Sequence, residues 1–513
     1  QPRPRFQNPI QHPRPPDAMT ESAPVLYDSR QADPLDFPDR WSPMLVKELR
    51  TSLRSWLFVT AFLLLQCLLI LTELFATLLS GFGVDLMGLS SFFWGTVVVV
   101  LVFFVPMRGF GALSTEIRLA TMETILLTRL SAWKIAFGKW LAVAAEISLV
   151  SVTILPHLFL RYCLGGINLV TELFWLFTIT AGGFLMAGIY VGFSAQKTIL
   201  LRATFAIIVN AFAFSGCLAI GSAASGGLLA TDSIPLIRQP HSWALYLVLL
   251  SAFLFLLYLT IDLGSTAIAP PGENHGTLKR ILGFGLLAIS LLALPLVTLD
   301  APLLFFCGCL CVLILVIALT EQPQPVAGIY QRFARFGPPG KFLAWFLAPG
   351  WPHGLLLLLG GSLLFAFVLF KAAALGISIS SFSLYLASGA ALLIPLVIIR
   401  LFFSRTEGLF GLYFIIQAIH FTVFYVLIFL DYEIVPGRGL LWLGSWLPFV
   451  LAFMAQDGAY QSQQIRVLLI SLILFSAALL FLFYSARHHY AAVRKLLTNQ
   501  PLEDRFTPGG QRS

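Results

Sequence analysis

Charge is what this chain lacks most: only 11% of its 513 residues are Asp, Glu, Lys or Arg. A soluble domain carries roughly a quarter, so neither a water-soluble enzyme nor a charged disordered scaffold fits. Catalytic signatures are missing too. The phosphate loop Gly-x-x-x-x-Gly-Lys-Ser/Thr does not occur, and Gly337-Pro-Pro-Gly-Lys341 has the wrong spacing and no magnesium-binding hydroxyl. His-Glu-x-x-His and Gly-x-Ser-x-Gly are absent as well, which leaves zinc-peptidase and serine-hydrolase chemistry without their residues. Cysteines number six and lie mostly within apolar runs, which reads as reduced core packing, not a disulfide framework. Cys307, Cys309 and Cys311 sit on one predicted helix, where only the first and last share a face and no His completes a soft-metal site. No cofactor, metal or catalytic residue is implied.

Apolar residues, in contrast, make up 58% of the chain, and the mean hydropathy is +0.87. They come in runs near twenty residues, which favours helices over an alternating membrane barrel. The fold expected is all-α, a polytopic transmembrane bundle. Spans fall at roughly 56–79, 88–107, 140–160, 173–194, 203–222 and 243–263, then at 281–299, 301–320, 353–374, 381–402, 409–430 and 466–485. A thirteenth apolar stretch, 438–455, is short and carries Gly444 and Pro448. The count is therefore 12, or 13 if that stretch crosses.

Orientation follows from the 32 Lys and Arg against 24 acids, an excess that suits loops facing an anionic membrane surface better than nucleic acid. With the N-terminus cytoplasmic and twelve crossings, 27 of the 32 basic residues lie inside, including those of the tail 486–513. This reads 438–455 as re-entrant or interfacial. Residues 1–40 are Pro-rich and polar without periodicity, so they are expected to be a disordered cytoplasmic tail. No apolar stretch follows their arginines as a secretory leader requires. The first methionine is Met19. That leaves two readings of 1–18, an extension upstream of the natural start or a genuine flexible tail.

Two segments stand out. In Trp41–Arg54, Ser42 and Pro43 fit a helix start. Leu45, Leu49 and Leu53 form one face, and Lys47, Arg50 and Arg54 project from another, the pattern of an interfacial helix running into the first span. Between spans two and three, residues 114–139 alternate charge through Glu116, Arg118, Glu123, Arg129, Lys134 and Lys139. Such a surface suits either a solvated connector or contact with a soluble partner of complementary charge.

Together these segments resemble the permease subunit of type-2 ATP-binding-cassette (ABC-2 type) exporters over about residues 41–265. Lys47, Glu48, Leu49 and Arg50, with Arg54 one turn on, match the elbow helix of that family. Glu116, Thr121, Glu123, Leu126, Leu127, Thr128, Leu130, Ser131, Ile135, Gly138 and Lys139 match its coupling loop. Ala120 replaces the usual Gly and Arg129 the usual Pro, leaving the turn more helical and the bend less fixed. The resemblance implies a six-span domain over 41–270, with 221–242 free to form outer re-entrant helices. It also implies a separate soluble ATPase gripping the loop through Glu116, Arg118, Thr121, Glu123, Thr128, Ser131, Gly138 and Lys139. The pathway would be enclosed with a second copy or a related permease, in the bacterial cytoplasmic (inner) membrane. The half 271–485 does not repeat the first and is read as a second bundle; its stretch 328–342 pairs aromatic with basic residues as an interfacial segment does.

Ionisable residues inside spans are functional candidates by default. Glu73 and Glu146 are the foremost, either lining a polar translocation seam or held by neighbouring groups in a bundle contact. His157 and His420 are read as neutral; Arg202, Asp262, Asp300 and Arg400, near span ends, are read as reaching the interface. Substrate class stays open. The rival readings are an ATP-independent transporter or membrane enzyme using those carboxylates, and an assembly subunit that transports nothing.

Reporter fusions after Ser55 and after Ala486 should both give cytoplasmic signals; opposite signals would make 438–455 a crossing.

Overall fold

The computed structural model describes residues 43–80, 87–114, 131–164, 168–196, 242–269, 273–293, 300–322, 325–361, 379–403, 409–431 and 440–498. It adds residue 117 and short helical pieces between 202 and 214. The tail 1–40, the connection 221–242, most of the span expected at 203–222, the second half of 353–374 and the chain after Thr498 lie outside the described residues. Every regular element among the described residues is helical.

The first bundle opens with α1 (Pro43–Leu53) and α2 (Trp56–Ser80). It continues through α3 (Met87–Val98), α4 (Ala132–Leu164), α5 (Leu169–Ser194) and α6 (Ser242–Ile268). The second half holds α7 (Gly276–Ala293), α8 (Asp300–Thr320), α9 (Ala327–Ala334), α10 (Gly337–Leu347) and α11 (Trp351–Gly361). It closes with α12 (Ile379–Phe402), α13 (Leu409–Phe429), α14 (Leu440–Leu443), α15 (Pro448–Gln456) and α16 (Gln464–Leu497). Among the described residues, eight helices are long and apolar enough to cross a membrane, or nine if the bent pair α10–α11 is one span. The chain is an integral membrane protein of the helical class. Leu63, Leu64, Ile70, Leu74, Val152, Phe159 and Phe177 point outward from the first bundle, as the apolar girdle of a lipid-facing surface must.

Residues 440–456, which overlap the short apolar stretch, divide at a turn over Gly444–Leu447, and Pro448 restarts the helix where its missing N–H costs nothing. The two pieces, four and nine residues, are only ~6 and ~13 Å long. Leu441, Val450, Leu451 and Met454 bury them in a cluster with Ala387 of α12 and Val467 of α16. In turn α16 runs unbroken past Ala486 to Leu497, so the expected tail begins as a continuation of the last span.

Span two changes register midway. After α3 comes a π turn, Val99–Phe104, in which Val105 N–H bonds the carbonyl of Val100 five residues back; a 3₁₀ segment, Pro106–Gly111, follows. Pro106 has no N–H to give, and the wider π turn re-registers the chain around it. Helix α5 approaches this turn so closely that a Cβ on Gly183 would sit 2.5 Å from the Leu101 carbonyl oxygen. That is the small-residue contact expected between helices in lipid.

A 99° bend separates α10 from α11. Such a bend leaves carbonyls at the end of α10 without intrahelical partners. Two residues of α7 supply them. Arg280 donates to the carbonyls of Phe346 (2.7 Å), Ala348 (2.6 Å) and Gly350 (3.2 Å), and Thr277 Oγ1 donates to that of Leu347 (2.9 Å). The same guanidinium pairs with Glu321 at 2.7 Å, while Glu321 accepts the Gly350 N–H at 3.0 Å. Gly350, at φ 118°, occupies a conformation that disfavours a side chain.

Arg280 is 1% exposed, and removing one partner of a buried ion pair costs roughly 3–5 kcal/mol. Arg280→Ala should therefore lower the thermal midpoint in detergent sharply, while Lys47→Ala, at an exposed position, should leave it within error.

Candidate functional site

Helix α4 carries the candidate site. Ser131 starts it, its Oγ accepting the Lys134 N–H at 3.4 Å. The loop expected over 114–139 therefore ends at Ser131. Residues 132–139 are the first two turns of α4, because Ile135, Ala136 and Trp140 pack into the bundle core and hold them helical. Of the residues expected to form the coupling loop, Glu116, Arg118, Thr121, Glu123 and Thr128 lie outside the described residues; Gly138 and Lys139 are on α4, where Lys139 is buried.

Lys139 reaches α1. Its Nζ lies 2.6 Å from Glu48 Oε1, and below that pair Leu49 buries against Ala142. Thus the matching motifs of the two separate segments, Lys47-Glu48-Leu49-Arg50 and Gly138-Lys139, meet in space. Lys47 and Arg50 are exposed on the other face of α1, and Arg54, just past its end, is exposed as well.

Further along α4, Glu146 is fully buried and its Oε2 receives Arg108 Nη1 at 2.7 Å. Arg108 stands on the 3₁₀ segment after the π turn, so the register change around Pro106 sets this pair. Arg108 also lies over the Phe58 ring at 5.8 Å.

Beyond it a hydrogen-bonded chain crosses between α2 and α4. Glu73 Oε1 lies 3.0 Å from His157 Nδ1, and His157 Nε2 lies 2.8 Å from Gln66 Oε1. Gln66 donates to Thr153 Oγ1 at 2.9 Å, and Thr153 donates to the Val150 carbonyl at 2.7 Å. His157 and Glu73 are thus joined by a contact in which the ring or the carboxyl can be the donor. One turn on, Arg161 donates to Ser90 Oγ at 2.8 Å, lies 3.5 Å from Glu172 and stacks over Phe93 at 4.2 Å. Asn168 starts α5 by accepting the Val170 N–H, and that start places Glu172 in its first turn.

Glu146, Thr153, His157 and Arg161 follow one another at i, i+7, i+11 and i+15, a single stripe ~22 Å long on α4. Glu73 and Glu146 thus serve different ends of it: His157 is eleven residues, ~16 Å, from Glu146. Both carboxylates are held by neighbours in bundle contacts, and their partners also line the stripe. Gln66, Arg108, Thr153, Arg161 and Glu172 are absent from the candidates read from sequence; the i, i+7, i+11, i+15 spacing is a signal for Thr153 and Arg161 alone, since the other three stand on other elements.

Asp262 corrects its expectation. It is 1% exposed instead of reaching the interface, because basic groups come to it. Lys279 Nζ lies 2.8 Å from Oδ2, and Ser265 Oγ (2.9 Å) and His275 Nδ1 (2.9 Å) bond Oδ1. Arg202 is likewise buried, over the Phe110 ring at 5.5 Å. Arg400 is half-buried against Trp351 at 4.4 Å. Among the described residues, no group of three or more His, Cys, Asp or Glu is arranged to hold a metal ion.

No protein-family model, curated protein or solved structure matches this chain.

The Asp262 cluster ties α6 to α7 and has a pH signature. The hydrogen bond to Asp262 holds the His275 ring above the usual imidazole range, and Glu273, 3.0 Å from Nε2, adds to it; burial and Lys279 oppose. A raised folded value gives stabilisation that is complete below the unfolded value of about 6.5 and lost as pH rises through the folded one. Thermal midpoints should fall as pH rises through that window, and His275→Gln should flatten this component.

Proposed function

We propose that the chain is the membrane permease subunit of an ATP-binding-cassette export system, driven by a separate soluble ATPase. The reading takes α1 as the elbow helix, about twelve spans in all, the N-terminus in the cytoplasm and the bacterial inner membrane as location. A second copy of the chain, or a related permease, completes the pathway. The Lys139–Glu48 ion pair is the observation that supports this reading best. It clamps the elbow segment to the end of the expected coupling loop, so a push on the loop reaches α1 and α4 together. An exposed pair contributes only about 0–1 kcal/mol, but Lys139 is largely buried and Leu49 closes the contact beneath it. Chemistry on this chain is confined to holding polar groups inside the bilayer; nucleotide hydrolysis belongs to the partner.

A second reading has its own support. The Glu73–His157 contact, inside a stripe of polar groups, suits a proton-coupled carrier that needs no ATPase.

Glu123, matching the second acid of the family loop, is the residue to test. Truncating or reversing a desolvated interfacial charge costs roughly 2–5 kcal/mol. Glu123→Lys should abolish co-purification of the ATPase while membrane insertion is retained, and Glu433→Lys, in an expected outer loop, should leave the complex intact. Equal retention by both removes Glu123 from the contact. Transport by purified protein on a proton gradient, with no ATPase co-purifying, overturns the exporter reading in favour of the carrier.

A further inference from the structure

The aromatic cleft at the α10–α11 bend lies outside the stripe and outside the α1–α4 contact. It has a volume of about 320 Å³ and is lined by Phe342, Trp345, Phe346, Leu356, Phe483 and Tyr490. That volume is at the lower end of small-molecule sites, which run about 300–1,000 Å³. Its walls are fixed. Tyr490 donates its hydroxyl to the Pro352 carbonyl at 2.6 Å and packs its ring 6.0 Å from both Trp345 and Phe483. The Arg280 contacts hold the bend itself.

The rim is basic. Lys341 precedes Phe342, and Arg487 and Arg494 stand one helical turn to either side of Tyr490; all three are exposed. Arg487 already stacks on Tyr484 at 4.1 Å. No Asp or Glu occurs anywhere in residues 325–361 or 464–497. The nearby acid, Glu321, is engaged by Arg280. Phe336 and Phe342 are 77% and 64% exposed beside Arg332, Arg335 and Lys341. Finally, the 99° bend sets α10 across the direction of α11. If α11 runs along the membrane normal, α10 lies in the interfacial plane, where aromatic and basic side chains are both at home.

We propose that this cleft is a binding site for an anionic phospholipid, its acyl chain among the five rings and Leu356 and its phosphate at Lys341 and Arg494. An acidic soluble protein would match the charge but not the wholly apolar cleft. Juxtamembrane basic clusters favour anionic lipids for the same electrostatic reason.

The test uses the full chain in phosphatidylcholine nanodiscs containing a minor fraction of acyl-brominated phosphatidylglycerol or acyl-brominated phosphatidylcholine. Bromine quenches a tryptophan it touches. Because the chain has 11 tryptophans, the Trp345 signal is read as the difference between wild type and Trp345→Phe. That component should be quenched about threefold more by the anionic lipid, and the double variant Lys341→Gln/Arg494→Gln should bring the ratio close to one. Both substitutions are at exposed positions, so the fold is not at risk. Equal quenching by the two lipids, or a preference that survives the double substitution, overturns the proposal. No quenching of Trp345 by either lipid overturns it too, and leaves the basic surface to a soluble acidic partner.

Discussion

Hydrocarbon offers no hydrogen bonds, so every polar backbone group and every charge within it must find a partner in the chain itself. Most of the structure follows from that constraint. It explains why all regular elements among the described residues are helices, each satisfying its own backbone. It also explains where the helices fail to be regular. The π turn before Pro106 and the bend after Leu347 are two of the places where the ladder breaks, and an arginine stands at each. Arg108 stands just beyond the first and reaches Glu146; Arg280 caps the second with three hydrogen bonds to carbonyls and a pair to Glu321. A sharp bend in an apolar setting exists here because a guanidinium, with five donors in a fixed fork, can satisfy several carbonyls at once.

The same constraint concentrates polar side chains on one face of α4. Isolated, Glu146, His157 and Arg161 would each be costly to bury. Aligned on a stripe, they face α2, the 3₁₀ segment and α5, whose Glu73, Arg108 and Glu172 complement them. The stripe ends near Lys139, where the ion pair to Glu48 brings in α1. A displacement applied at the start of α4 would therefore reach its polar contacts through one helix, in which Pro156, between Thr153 and His157, removes one N–H from the ladder. This connection through α4 is what the exporter reading needs of the protein, and the Glu73–His157 contact is what the carrier reading needs.

Much of the architecture was legible along the chain, since twenty apolar residues in a row have one physical outcome. Helices α2, α4, α5, α6, α12 and α13 sit close to the runs that foretell them. The interruptions were legible in part: Gly444 and Pro448 announce the break between α14 and α15. The start of α4 at Ala132 was not, because the polar residues of 132–139 look like loop until Ile135 and Trp140 are seen packing into a core.

Composition and run length alone determined the class of this protein, membrane-embedded and helical, and placed Glu73 and Glu146 among apolar neighbours. Pairing was beyond them. That Glu146 belongs to Arg108, Glu73 to His157, Asp262 to Lys279 and Arg280 to four residues around a bend depends on which helix faces which. Sequence periodicity reports a residue's position around its own helix but carries no information on the neighbour it meets. Only close packing between helices, permitted at points such as Gly183, brings the partners within hydrogen-bonding distance.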